Sequence, residues 1–214
     1  MYLVLATFPP ILIAYFVYKQ DKYEKEPLSL ISLSFFLGCL SVIPAIVFEL
    51  VYNQSLFPNL FLYVLFGIAF IEEGVKFFFL RKYIYRNKNL DEPMDGIVYA
   101  VMVGLGFALV ENIMYVLENP EQSFDIAVLR MFTAIPLHAI CGVILGYYIG
   151  LAKFSKNPFK LMCIGLLFAT IIHCMYNYFI FIDKLFLSII IIVIGTYFSL
   201  KAINIHKNDS KIRN

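Results

Sequence analysis

Long runs of apolar residues, separated by short polar segments, extend along the sequence to residue 200. A helix that crosses the hydrocarbon core of a membrane needs about 20 predominantly apolar residues. By that criterion the pattern predicts spanning helices at residues 2–18, 28–52, 59–80, 94–117, 127–150, 160–182 and 185–200. The predicted fold class is therefore an all-α polytopic membrane protein, a helical bundle of about seven transmembrane helices.

Composition assigns the whole chain to the same class. Hydrophobic residues make up 61% of the 214 residues and charged residues 15%, with a mean hydropathy of +0.81. A soluble domain carries about 25% charged residues, so this chain has too little polar surface to coat a globule in water. Because the connecting segments are too short to fold alone, we expect a single integral membrane domain over residues 1–214. Its core helices are predicted at 59–182 and a cytoplasmic tail at 201–214.

Lysine and arginine residues fall mostly on alternate connecting segments. These residues are Lys19, Lys22 and Lys25, then Arg81, Lys82, Arg86 and Lys88, then Lys153, Lys156 and Lys160, and finally Lys201, Lys207, Lys211 and Arg213. Because short cytoplasmic loops are enriched in Lys and Arg, the alternation predicts an N-terminus outside and a C-terminus in the cytoplasm. Basic residues placed by topology, with a net charge of +2, give no indication of nucleic acid binding.

The third predicted span carries three charged residues, Glu72, Glu73 and Lys76. A charged side chain near the bilayer centre costs about 2.5–3.5 kcal/mol on insertion scales. Lys76 follows Glu72 by four residues and Glu73 by three, so it can pair with either on one helical face. If Lys76 pairs with one glutamate, the carboxylate of the other glutamate has no partner within the helix. That carboxylate is either a general base, or it is protonated and hydrogen-bonded beside an ion pair that only fixes helix packing.

The fourth predicted span contributes Phe107, Glu111 and Asn112. Phe107 and Glu111 are four residues apart and share a face, preceded by Gly104 and Gly106, which allow close helix approach. Glu111 lies toward the outer end of its span. It is therefore either a member of a buried site or an interfacial residue that reaches water.

Two of the three histidines lie near the centres of predicted spans. His138 begins a row spaced by four residues that continues through glycines 142, 146 and 150 and predicts a face on which another helix packs tightly. His173 lies in the sixth span with Asn177 one turn later on the same face. A lone membrane histidine is often an interhelical hydrogen bonder, but two of them beside a glutamate pair indicate a site.

Other polar residues are predicted to have no part in such a site. Glu49 and Arg130 lie near the outer ends of their spans, where snorkelling explains them. The acidic turn at residues 91–95 is explained by solvation and helix capping. His206 lies in the charged tail, where we expect it to do nothing special.

Carboxylate, imidazole and amide groups in a hydrated cavity can hydrolyse an amide bond. A glutamate deprotonates water, while histidine and asparagine orient the water, protonate the leaving amine or donate to the oxyanion. The sequence lacks the His-Glu-x-x-His zinc motif. We prefer a mechanism without a metal; the alternative is a zinc site of Glu73, His138 and His173 with one open position. The candidate set is Glu72, Glu73, Lys76, Phe107, Glu111, Asn112, His138, His173 and Asn177.

Two other functions fit the same polar residues. Buried acids and histidines also build the relays of proton-coupled transporters, although the small number of spans and the absence of a recognisable inverted repeat disfavour one. A non-catalytic membrane scaffold could keep the network only for helix assembly. The intact glutamates argue against a scaffold.

Four motifs in order on four successive spans resemble those of PrsW-type membrane proteases. The motifs are Glu72-Glu73-x-x-Lys76, Phe107-x-x-x-Glu111-Asn112, His138-Ala139 and His173-x-x-x-Asn177. This family belongs to the superfamily of CAAX prenyl endopeptidases and bacterial Abi proteins. The segment from Asp95 to Tyr99 also resembles the family, and the similarity extends over nearly the whole chain.

The resemblance implies a site-1 protease of the bacterial plasma membrane. Such a protease cuts a single-span anti-sigma factor on its extracytoplasmic side, and a downstream intramembrane protease acts on the remnant to release the sigma factor. Glu72 and Glu73 would be the catalytic pair with His138 and His173 beside them, and His173 with Asn177 would hold the oxyanion. The related CAAX enzymes have histidine where this chain has Glu111, so the water-orienting role is left to another residue, for which His138 is a candidate.

Overall fold

The computed structural model describes residues 2–21 and 24–213. Helices occupy most of these two ranges, and no strand occurs within them. The helices are α1 (Tyr2–Gln20), α2 (Leu28–Val51), α3 (residues 60–84), α4 (Pro93–Glu118), α5 (Ser123–Phe132), α6 (Ala134–Lys153), α7 (Pro158–Phe181) and α8 (Leu185–Arg213). The all-α class predicted from the sequence is confirmed.

Six helical segments within the described residues are long and apolar enough to cross a membrane. They are α1, α2, α4, α5 joined with α6, α7 and the apolar part of α8. The chain is thus a polytopic membrane protein, while the count of seven spans and the orientation stay predictions. Of the basic residues that predict the orientation, Lys22 lies outside the described residues, as do the side chains of Lys211 and Arg213.

The remaining predicted span, residues 59–80, corresponds to α3, whose backbone is not uniform. An α-helical stretch, Phe70–Phe79, lies between two π-helical stretches, Tyr63–Ala69 and Leu80–Ile84. π-Helical turns are rare and occur frequently at functional sites. In α3 they flank the stretch that carries the predicted glutamate pair.

Helices α4 and α6 form the centre of the bundle, and their backbones touch. A Cβ atom added at Gly146 would lie 2.4 Å from the carbonyl oxygen of Gly96, and one at Gly150 would lie 2.1 Å from that of Pro93. Gly142 likewise faces the backbone at residues 100 and 101. The glycine row predicted from the sequence is therefore confirmed as a close helix contact, and it fixes the position of His138 at one end of that row.

The acidic turn before α4 is exposed at Asp91 but buried at Glu92 and Asp95. Asp95 Oδ2 accepts hydrogen bonds from the backbone N–H groups of Asp91, at 2.9 Å, and Glu92, at 2.6 Å, so the predicted helix cap is present. The predicted solvation is wrong for Glu92 and Asp95, which are buried. Asp21 and Glu26 lie close to Asp95, and Tyr99 donates to Glu26. Burial raises the pKa of Glu26 to about 10, helped by the nearby Asp95 carboxylate.

The C-terminal segment, predicted as a cytoplasmic tail, continues α8 as a helix. His206 is fully buried, its Nε2 donates to the carbonyl oxygen of Tyr147 at 2.8 Å, and the two rings stack 4.1 Å apart. The expectation that this histidine does nothing special is wrong: it attaches the end of α8 to α6. The predicted tail boundary therefore falls inside a packed helix.

The glycine contact can be tested by adding one methyl group. Gly146→Ala should lower the free energy of unfolding by about 1–3 kcal/mol, because the new Cβ overlaps the α4 backbone. Gly74→Ala is the matched control, since nothing lies within 4 Å of its added Cβ and alanine favours a helix by about 1 kcal/mol over glycine. Loss of helical circular dichroism in detergent on heating measures both, and an equally stable Gly146→Ala protein would contradict the contact.

Candidate active site

Lys76 lies at the centre of the buried polar network. Its Nζ donates to Glu73 Oε1 at 2.8 Å and to Glu72 Oε2 at 3.2 Å, and it lies 3.1 Å from Nδ1 of His138 and 3.9 Å from the ring centre of Phe107. The two glutamates and the lysine are each less than 5% exposed. An ammonium group has three donors, so one lysine serves both carboxylates. The expectation that one glutamate is left unpaired is therefore wrong.

His173 on α7 faces the same two glutamates. Its Nδ1 lies 2.9 Å from Glu73 Oε1, and its Nε2 lies 3.9 Å from Glu72 Oε1. Because a carboxylate accepts, Nδ1 carries the proton in the neutral ring and the Nε2 lone pair stays available. Glu73 thus holds His173 in place, while Glu72 Oε1 and His173 Nε2 remain for chemistry.

His138 on α6 is held from both sides. Its Nδ1 accepts from Lys76, so in the neutral ring its Nε2 donates to Glu111 Oε2, at 2.8 Å. The rings of His138 and His173 meet edge to face with centroids 5.3 Å apart. Glu111 is therefore bonded to a buried imidazole and belongs to the same network as the glutamate pair.

Arg130 on α5 is a residue that the sequence interpretation missed. Its Nη2 donates to Glu111 Oε2 at 2.7 Å, its Nε donates to Asn112 Oδ1 at 2.5 Å, and its guanidinium lies 3.9 Å from the ring centre of Tyr115. Snorkelling to the interface is thus the wrong account of this residue. A signal was present, since Arg130, Lys76 and Lys184 are the basic residues outside the predicted cytoplasmic segments.

Part of this network lines a cavity of about 500 Å³ between α2, α3, α4, α6 and α7, with Arg130 of α5 also on its wall. Its wall includes Glu72, Glu111, His138, His173 and Asn177. The side chain of Asn177 has no hydrogen bond to another residue within the described ranges, so its amide is open to a ligand. The structure therefore brings together the candidate residues predicted from four spans.

The cluster contains donors suited to a divalent metal. Ligand atoms of Glu72, His138 and His173 lie within 4.8 Å of one another, and all three residues are buried. The sequence-based zinc set named Glu73, but its Oε1 already contacts His173 Nδ1 and Lys76, so Glu72 is the carboxylate near both histidines. One carboxylate and two imidazoles fit a known type of zinc site.

Comparison with known proteins identifies the family of this chain. Residues 26–203 match the family model described as PrsW family intramembrane metalloprotease. Protease PrsW of Bacillus subtilis (strain 168) is 35% identical over 170 residues, which cover 78% of this chain and 76% of that protein. Protease PrsW of Clostridioides difficile (strain 630) is 30% identical over 198 residues, 89% of this chain and 83% of that protein.

Another relative, Protease PrsW of Geobacillus kaustophilus (strain HTA426), is 38% identical over 145 residues, which cover 67% of this chain and 63% of that protein. No solved protein structure matches the chain. The family match includes all of α2, α3, α4, α6 and α7, the helices between which the cavity lies. The chain therefore belongs to the PrsW family and is a multi-pass membrane protease.

Proposed function

We propose that the cavity between α2, α3, α4, α6 and α7 is the catalytic site, and that it hydrolyses a peptide bond with a water molecule activated by Glu72. The observation that carries the proposal is the pair formed by Glu72 Oε1 and His173 Nε2, which lie 3.9 Å apart on the cavity wall. Both atoms can accept a hydrogen bond. A water molecule between them can donate one O–H to each.

Each step of the hydrolysis can be assigned to an atom. Glu72 takes one proton from the water, and the oxygen attacks the carbonyl carbon of the scissile bond. The amide N–H of Asn177 donates to the oxyanion that forms. Protonated Glu72 then gives its proton to the leaving nitrogen as the C–N bond breaks.

The remaining residues hold these groups in position. Glu73 keeps the proton of His173 on Nδ1, so that Nε2 accepts from the water. Lys76 holds the second oxygen of Glu72 and the ring of His138. Glu111 bonds the opposite side of that ring. Fixed rotamers of this kind keep the reacting atoms aligned.

The family description favours a metal as a second form of the mechanism. Glu72, His138 and His173 would hold the ion, which when bound polarises the scissile carbonyl and acidifies its water. Against this form stands Lys76, whose ammonium contacts both Glu72 and His138 and already compensates the carboxylates. Placing a divalent cation beside that buried ammonium adds like-charge repulsion. We therefore propose the form without a metal.

The proposed substrate is a single-span anti-sigma factor cut on its extracytoplasmic side. The motif resemblance supports this choice, and so does the placement of the cavity. Glu49 and Glu118, near the C-terminal ends of α2 and α4, lie on its wall. The basic-loop pattern predicts that these ends face outward. A downstream intramembrane protease would then act on the shortened product.

Glu72→Gln and Glu73→Gln should each lower cleavage of a co-expressed single-span anti-sigma factor by at least about 100-fold, because one removes the base and the other releases His173. Immunoblotting of the tagged substrate measures the product, with membrane insertion of the protease followed in parallel. Glu121→Gln, in the exposed loop before α5, is the matched control. Full cleavage by the Glu72→Gln, Glu73→Gln double variant would refute the catalytic role.

Metal content separates the two forms of the mechanism. Protein purified without chelator should contain much less than one zinc per chain, and treatment with a chelator should leave cleavage unchanged. Elemental analysis by mass spectrometry supplies the stoichiometry. One zinc per chain that is lost in Glu72→Gln, together with cleavage that stops on chelation, would establish the metal-dependent form instead.

Arg130→Gln should reduce the turnover number by up to about 100-fold with little change in KM, because Glu111 then no longer holds His138 in a single orientation. Arg130→Lys should rescue it only in part, since lysine cannot contact Glu111 and Asn112 in the same fork geometry. Steady-state cleavage of a detergent-soluble peptide measures both constants. Wild-type turnover in Arg130→Gln would show that this contact only stabilises the fold.

A further inference from the structure

Glu49 is a carboxylate on the cavity wall that the mechanism does not use. It lies on α2, two residues before the end of that helix, and is partly buried. Among the described residues its side chain makes no hydrogen bond and no salt bridge. Snorkelling to water explains how a carboxylate can be tolerated at this depth, but Glu49 lies on the wall of a cavity, where a cationic partner would stabilise it more than in open water.

The cations near the cavity are already engaged. Arg130, the one lysine or arginine among the described residues of the wall, is bonded to Glu111 and Asn112 at 2.7 and 2.5 Å. Lys76 is bonded to its two neighbouring glutamates at 3.2 and 2.8 Å. Neither can turn to Glu49 without giving up its ion pair with a carboxylate of the site. The described residues therefore supply no counter-ion for Glu49.

The position of Glu49 offers no gain in stability either. The C-terminal end of a helix carries partial negative charge, which disfavours an acidic side chain and favours a cation. Glu118 repeats this arrangement at the C-terminal end of α4, on the same cavity wall. Two carboxylates and two helix C-termini thus give this part of the cavity a negative electrostatic potential, which favours a cationic group of a bound substrate.

The cation that fits is a side chain. A metal ion needs several ligands close together. Among the described residues, Glu49 is not part of any cluster of His, Cys, Asp or Glu that could hold one. A lysine or arginine of a bound polypeptide, in contrast, needs a single carboxylate and brings its own apolar stem into the cavity.

We propose that Glu49 is a specificity-determining residue that binds a lysine or arginine side chain of the substrate, close to the scissile bond. The inference rests on the proposed protease function and adds the chemical class of residue that the cavity prefers. Because the cation arrives with the substrate, the charge of Glu49 is paired only in the complex of protease and substrate. Recognition is then a difference in cleavage rate between basic and neutral substrates.

The test uses a single-span substrate in which each position within five residues of the cleavage site carries Lys, Gln or Glu in turn. Full-length protease in membranes should cleave the Lys substrate about tenfold faster than the Gln substrate at one of these positions. In Glu49→Gln the ratio of the two rates should fall to about one, and Glu49→Lys should prefer the Glu substrate. Glu121→Gln should keep the wild-type ratio.

Each alternative outcome has a separate meaning. Both cleavage rates of a variant are measured on the same enzyme preparation. A smaller amount of folded protein therefore lowers both rates equally and leaves their ratio unchanged. A Lys-to-Gln ratio near one at every position in the wild type, or a wild-type ratio in Glu49→Gln, would overturn the role of Glu49 and leave the protease function intact. Failure of the wild type to cleave any member of the series would overturn the protease proposal itself.

Discussion

The arrangement of the bundle depends on the burial of one ammonium group. Lipid excludes a lone charge, so Lys76 can lie in the interior only where acceptors surround it. Two acceptors come from its own helix, at 2.8 and 3.2 Å, and the third is His138 on α6, at 3.1 Å. Satisfying this lysine therefore fixes the distance between α3 and α6. Helix α7 is drawn to the same point, because His173 bonds the carboxylate of Glu73.

Backbone contact between α4 and α6 fixes the positions of the polar groups that these two helices bring to the site. Glycines on facing turns, such as Gly96 and Gly146, bring the two backbones so close that no side chain fits between them. His138 and Glu111 lie on these two helices and are joined by a 2.8 Å hydrogen bond. Packing of small residues and polar bonding thus act together. The stretch of α3 between its two π-helical segments presents the glutamates to this rigid pair of helices.

The charges of the cavity fall into two classes. Lys76 and Arg130 each neutralise carboxylates of the machinery, and the bonds that they make hold imidazole rings and glutamates in single orientations. Glu49 has no such internal partner among the described residues and lies on the cavity wall. In our proposal, the paired groups therefore perform the reaction, and the unpaired carboxylate selects the substrate.

The sequence by itself determined the all-α membrane class, the glycine face of α6 and the pairing of Lys76 with glutamates, because each depends on composition or on spacing within one helix. The tertiary structure decided the contacts between helices. Examples are the bond between Lys76 and His138, the attachment of Arg130 to Glu111, the burial of His206 and the choice of Glu72 over Glu73 as the carboxylate near both histidines. Periodicity gives the face of a helix on which a residue lies. It carries no information on how that helix is rotated against its neighbours, and the rotation decides which polar groups meet.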